Sequence, residues 1–137
     1  MLNTGDKFVE HFIVSTEIYQ GFMAIFKDRH PLHTNGHYAQ MRGFRSEVMH
    51  GNILNGFLSY FIGECLPDRE LMIISQEIRY QRPVYLGDLL ILQAEVADIH
   101  HSVNVFDFAC KFRNEVDGKI VASARINVGK TTVTEVL

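Results

Sequence analysis

The residues best able to move a proton sit close together in the chain. Asp28 and His33 stand five positions apart in Asp28-Arg29-His30-Pro31-Leu32-His33, with a proline between them. A carboxylate and an imidazole on a stiffened loop can be aimed at one point, and the pair suits proton transfer to and from carbon and oxygen. The spacing alone favours a structural pair, in which Asp28 caps the following turn and His33 is satisfied where it lies, because proton transfer demands a geometry that spacing does not fix. A second segment, Val48-Met49-His50-Gly51, leads into a strongly apolar run. A helix start leaves backbone N–H groups without partners, and that end of the helix favours developing negative charge. Gly51 is therefore a candidate to polarise a carbonyl beside Asp28 and His33. His30, His33 and His37, with His50, form an alternative set of zinc ligands. Pro31 and Asn35-Gly36 break any single helix through them, and no orienting partner for the rings is evident, so the reading assigns no metal.

The elements that must position these groups follow from hydrophobic periodicity. Lys7 to Val14 reads as a strand. Ser15 or Thr16 is the N-cap of a helix carrying Glu17 in its first turn and Ile18, Phe22, Ile25 and Phe26 at helical spacing. That helix must stop before Pro31. Asp28 to Ser46 reads as long, polar and irregular, a kind of segment that in compact domains is usually functional. From Gly51 to Leu66, the pairs Ile53/Leu54, Phe57/Leu58, Phe61/Ile62 and Cys65/Leu66 mark one broad apolar face of a helix of about four turns. Gly56 and Gly63 weaken that helix, which predicts close approach by a neighbouring backbone. Four strands follow: Leu71 to Tyr80, Leu89 to Ile99, Val103 to Arg113 and Ile120 to Val128, with Asp117-Gly118 as a two-residue hairpin turn. One long apolar helix and a run of antiparallel strands predict an α+β domain.

Composition narrows the function classes. The chain has 137 residues, of which 47% are hydrophobic and 21% charged, with a net charge of −3. This is globular composition for a single domain over 1–137, with no basic excess to meet a nucleic acid. No run approaches the roughly 18 apolar residues of a membrane span. Met1 to Lys7 has neither a basic nor an apolar signal region, and Cys65 and Cys110 lie in apolar stretches, so the expected location is the reducing cytoplasm. Gly129-Lys130-Thr131-Thr132 has the ending of a phosphate loop, but the earlier glycine is Ala124, which rules that out. His100-His101 reads as a solvated turn. Arg42 and Arg45 are candidates for phosphate contact, with a solvated loop the stronger reading.

Asp28-Arg29-His30-Pro31-Leu32-His33, with Ala39 after five intervening residues, resembles the G-D-x-N-P-[LIV]-H-x5-[AS] signature of the MaoC-like dehydratases and (R)-specific enoyl-CoA hydratases. Val48-Met49-His50-Gly51 is similar to the start of that family's central helix. Pro83-Val84-Tyr85-Leu86-Gly87-Asp88 looks like its P-V-x-x-G-D strand entry, a piece shared more widely among hot-dog domains. The resemblance runs from about Lys7 to Val128. It implies a hot-dog fold, with a curved antiparallel sheet wrapped around a long central helix, and a homodimer with a thioester tunnel between subunits. It implies reversible hydration of enoyl thioesters of CoA or an acyl carrier protein, without a cofactor. Asp28 and His33 take the catalytic positions, Gly51 the thioester-carbonyl donor, and Ser59 a serine lining the site, with His30 and His50 beside it. Two positions depart from the pattern: Lys27 replaces its glycine and His30 its asparagine. A hot-dog thioesterase using Glu47, Glu64 or Asp28, and a non-catalytic acyl-thioester binding module, are the rival readings.

Overall fold

The computed structural model describes residues 1–131, so Thr132 and the rest of the C-terminus lie outside the described residues. The first strand, β1, is Lys7–Ile13. Ser15 then caps helix α1, Thr16–Phe26, its hydroxyl accepting from the Ile18 N–H at 3.1 Å. The helix stops four residues earlier than Pro31 requires. Lys27 closes it in the left-handed region at φ 62°, its N–H donating to Met23 O at 2.8 Å. That conformation costs a non-glycine residue roughly 1–2 kcal/mol, a cost that the glycine of the resembling pattern would avoid.

The segment expected to be irregular holds two short helices, α2 (Pro31–Thr34) and α3 (Gly36–Met41). Caps build them rather than an apolar stripe. His30 Nδ1 accepts from Leu32 N–H at 3.1 Å, and Asn35 Oδ1 from Tyr38 N–H at 3.0 Å. Helices of four and six residues are too short for periodicity to reveal.

The central helix is present with a change of winding. Helix α4 spans Asn52–Tyr60 and passes into a π-helical turn, Phe61–Cys65. Ile53, Leu54, Phe57, Leu58, Phe61 and Ile62 are its buried residues, the face that periodicity predicts. The two glycines correct the expectation of close backbone approach. A side chain built at Gly56 or Gly63 would meet nothing within 4 Å.

Four strands complete one antiparallel sheet: β2 (Leu71–Tyr80), β3 (Leu89–His100), β4 (Val105–Asn114) and β5 (Ile120–Lys130), in the order β1-β3-β4-β5-β2. Strand β2 does not pair with its successor. It crosses to the far edge beside β5, in the register Tyr80↔Ala122. The β4–β5 connection also differs from the expected two-residue turn. Five residues, 115–119, separate the strands, with Asn114 Oδ1 accepting from Val116 N–H and Gly118 at φ 72°. One face of the sheet supplies Leu90, Leu92, Phe108, Phe112 and Ile126 to the core shared with α4. Phe12 stacks on Phe57 at 4.4 Å between ring centroids, and Phe61 meets Phe108 edge-on at 6.2 Å. Among the described residues, no helix is long and apolar enough to cross a membrane.

Both cysteines are free thiols. Burial pushes the Cys110 thiol up to about 12. At pH 8 only about one such thiol in 10⁴ is ionised, and the thiolate is the reactive form. Iodoacetamide should therefore leave Cys110 unmodified in the native protein and alkylate it once urea has unfolded the chain, as read by peptide mass spectrometry. Native-state labelling as fast as that of a free thiol would contradict this burial.

Candidate active site

The left-handed turn at Lys27 throws Asp28 out of α1, and α2 begins three residues later. Asp28 Oδ1 accepts from the His30 N–H at 3.2 Å. His30, which replaces the asparagine of the resembling pattern, caps α2 with a ring nitrogen and donates its N–H to the carboxylate. Asp28 does form a local turn, as the structural reading of its spacing suggests, but its other oxygen is free of that turn. Asp28 Oδ2 faces His33 Nε2 at 3.8 Å, too long for a direct hydrogen bond. The Asp28 side chain is 51% exposed and that of His33 16%.

The His33 tautomer follows from its partner. His33 Nδ1 lies 2.7 Å from the Val48 carbonyl oxygen, which can only accept, so Nδ1 carries the proton. The lone pair of the neutral ring is then on Nε2, toward Asp28. Tyr19, which carries no recognisable signal in the sequence, donates its hydroxyl to the His33 carbonyl. Burial, then the nearby charge of Glu47, raises the Tyr19 phenol above its ordinary range, so it stays a donor. His30 lies farther off, its ring centroid 6.1 Å from that of His33.

His50 and Gly51 approach the pair from the entry to α4. The His50 ring lies on the His33 ring at 4.0 Å, with 29° between the planes. Gly51 is the N-cap of α4, and its N–H has no hydrogen-bond acceptor among the described residues. Its Cα is pressed by a ring: a Cβ there would fall 2.8 Å from Cε1 and Cζ of Tyr80. Tyr80 in turn receives a bond from Asn55 Nδ2 at 3.3 Å, and Gln76 donates to the Asn55 carbonyl. This network, absent from the sequence reading, ties the start of α4 to β2.

Two cavities meet at Ile53. One, of about 430 Å³, is lined by His33, His50, Gly51 and Tyr80 among others. The other, of about 730 Å³, is a mostly apolar trough between α1 and α4, with Asp28 at its wall beside Phe22, Phe26 and Gly56. Ser59 lines neither of them and is exposed, although it continues the Asn52–Gly56 stripe of the helix.

The alternative zinc set does not assemble. His37 is exposed and belongs to no ligand cluster among the described residues, whereas Asp28, His33 and His50 do come within 4.8 Å of one another. Stacked imidazoles point their in-plane lone pairs alongside each other rather than at a common ion, so this trio is poorly shaped for a metal. The candidates for phosphate contact are folded onto aromatic rings. The Arg42 guanidinium sits 4.5 Å from the Tyr38 centroid and that of Arg45 4.2 Å from Tyr85. His100 is the last residue of β3, bonded to Asp107 at 2.8 Å, with His101 in the turn beyond.

Known proteins resemble this chain in sequence and fold. A family profile described as MaoC like domain matches residues 7–132. The chain is 33% identical over 86 residues to a 3-hydroxybutyryl-CoA dehydratase of Methylorubrum extorquens, covering 63% of this chain and 55% of that one. It is 33% identical over 76 residues to an (R)-specific enoyl-CoA hydratase of Rhodospirillum rubrum, covering 56% and 52%. The chain thus spans about half the length of these curated relatives. Among solved structures, the unliganded R-hydratase PhaJ1 of Pseudomonas aeruginosa superposes with a TM-score of 0.83 at 28% identity, over 94% of this chain and 82% of the other. A match that runs through the sheet and both site segments makes this chain a member of the MaoC-like domain family, built on the hot-dog fold.

Proposed function

We propose that this chain catalyses the reversible hydration of trans-2-enoyl thioesters, carried on CoA or an acyl carrier protein, to (R)-3-hydroxyacyl thioesters. The observation that carries the reading is the gap of 3.8 Å between two acceptors, Asp28 Oδ2 and His33 Nε2. One water seated beside the pair can donate a hydrogen bond to each, with its own lone pair turned to the substrate. Addition forms a C–O bond at C3 and a C–H bond at C2, and breaks one O–H bond of water. The proton released passes through the Asp28–His33 pair and returns to C2 from the same side. The electrons displaced from the double bond collect on the thioester oxygen. The unpartnered Gly51 N–H is suited to receive that charge, and one such donor is worth ~3 kcal/mol. The apolar trough beside Asp28 suits an acyl chain.

The chain acts, in this reading, as a cytoplasmic homodimer of one domain per subunit. Strand β2 has an unpaired edge and exposes Met72, Ile74 and Tyr80, a surface that a second copy would cover. The free thiols fit a reducing compartment. A panel of trans-2-enoyl and 3-hydroxyacyl thioesters tests the reaction, read both by loss of the conjugated absorbance and by a thiol reagent. Absorbance should fall with no thiol released. Stoichiometric thiol release would instead establish a thioesterase, and binding of an enoyl thioester without turnover a non-catalytic module.

A further inference from the structure

Resting on the hydration reading above, we propose that His50 is a positioning residue that holds Asp28 and His33 one water apart. It is the only buried polar or charged residue among the described residues, with 3% of its surface exposed. Its Nε2 lies 2.8 Å from the main-chain oxygen of Asp28, so Nε2 carries the proton and donates it. Nδ1 is then a lone pair, fully buried and without a partner. An unpaired buried acceptor destabilises a fold, and an apolar side chain would avoid that cost. The ring therefore does something that a leucine cannot.

It touches both members of the pair by different routes. It anchors Asp28 through the main chain and lies flat on His33 at 4.0 Å. Two residues earlier, Val48 accepts from the other side of His33 at 2.7 Å. A single extended segment, 48–50, thus fixes the backbone of one group and the ring of the other. The consequence is visible in the gap. A half-exposed carboxylate beside an imidazole ordinarily closes to a charge-assisted bond of about 2.8 Å, yet here the atoms stand 3.8 Å apart. Closure would occupy the lone pairs that must receive water. The titratable groups facing this cluster are Asp28 and His30 from the loop, His33 from α2, and Tyr19 from α1, with Glu47 acting on Tyr19. Among the described residues, only Asp28 brings a charge within 4 Å of His33.

Two variants separate anchoring from filling. His50→Phe keeps an aromatic ring and loses the donor, whereas His50→Gln keeps an N–H at the reach of Nε2 and loses the ring. With His50→Phe, Asp28 should close on His33. We expect kcat to fall ~10–100-fold with KM within about twofold. His50→Gln should recover kcat to within about threefold of native. Imidazole ¹⁵N spectra of the substrate-free protein supply a readout that needs no turnover: His50 should be the Nε2–H tautomer. A Nδ1–H tautomer for His50, or kcat within about threefold of native in folded His50→Phe, overturns the proposal. If His50→Phe does not fold, a kcat for His50→Gln more than about tenfold below native overturns it. Absence of hydration by the native protein would instead sink the reading of the reaction and leave these spectra interpretable.

Discussion

Asp28→Asn and His33→Ala should each lower kcat for crotonyl-CoA hydration by ~10²–10⁴-fold while leaving the fold intact. Asn keeps the shape of the carboxylate, and one amide oxygen can still accept from the His30 N–H. What it loses is the second acceptor, since an amide NH₂ facing His33 Nε2 would donate into the lone pair and close the gap. His33→Ala removes the ring that spans Val48 and the gap. It leaves the Val48 carbonyl without that donor, a loss of about 1 kcal/mol that circular dichroism would register as a small fall in Tm. The double variant should be no slower than the slower single one if, as proposed, the two groups handle the same water. Near-normal turnover by either single variant, with the fold confirmed, would remove the pair from the mechanism. A double variant slower by the product of the two effects would mean that they act at different steps.

How far these groups could be read before any coordinates existed depends on the kind of information each one needs. The central helix is legible because a wide apolar face must be buried, and its periodicity survives the switch to π winding at Phe61. Asp28, His33 and Gly51 stand out through the motif they share with the resembling family, whereas their spacing alone points to a structural pair. The short helices α2 and α3 are not, since side-chain caps rather than an apolar stripe define them. Tyr19 and Val48 reach His33 across 14 and 15 residues of chain, and nothing in their own neighbourhoods marks them. The glycines of the central helix show the limit most plainly. Composition says that each costs stability, but only coordinates show whether a neighbour explains it. At Gly51 the ring of Tyr80 does, and at Gly56 no neighbour among the described residues does. The crossing of β2 to the far side of β5 is equally hidden, because strand order depends on which edge is free when the chain returns.

Gly51→Ala should lower kcat by about 10²-fold, within the range for loss of one donor to a developing oxyanion, although alanine keeps its N–H. Backbone conformation is not the reason: Gly51 sits at φ −59° and ψ −33°, which any residue adopts. Space is the reason. The new Cβ would fall 2.8 Å from two atoms of the Tyr80 ring, closer than real contacts allow, so either the ring or the start of α4 must move. Swinging the half-exposed ring aside breaks its 3.3 Å bond from Asn55, which also bonds Asn52 at 2.8 Å and accepts from Gln76. Where the helix start yields instead, the N–H proposed to face the thioester is re-aimed. Catalysis depends on such aim to fractions of an ångström. Tyr80→Leu removes the crowding atoms, so Gly51→Ala/Tyr80→Leu should recover about tenfold relative to Gly51→Ala, whatever Tyr80→Leu alone costs. That coupling is what a double-mutant cycle on kcat reads. Additive effects of the two changes would mean that Tyr80 does not set the position of Gly51. Undiminished turnover by Gly51→Ala would mean that the thioester oxygen is held elsewhere.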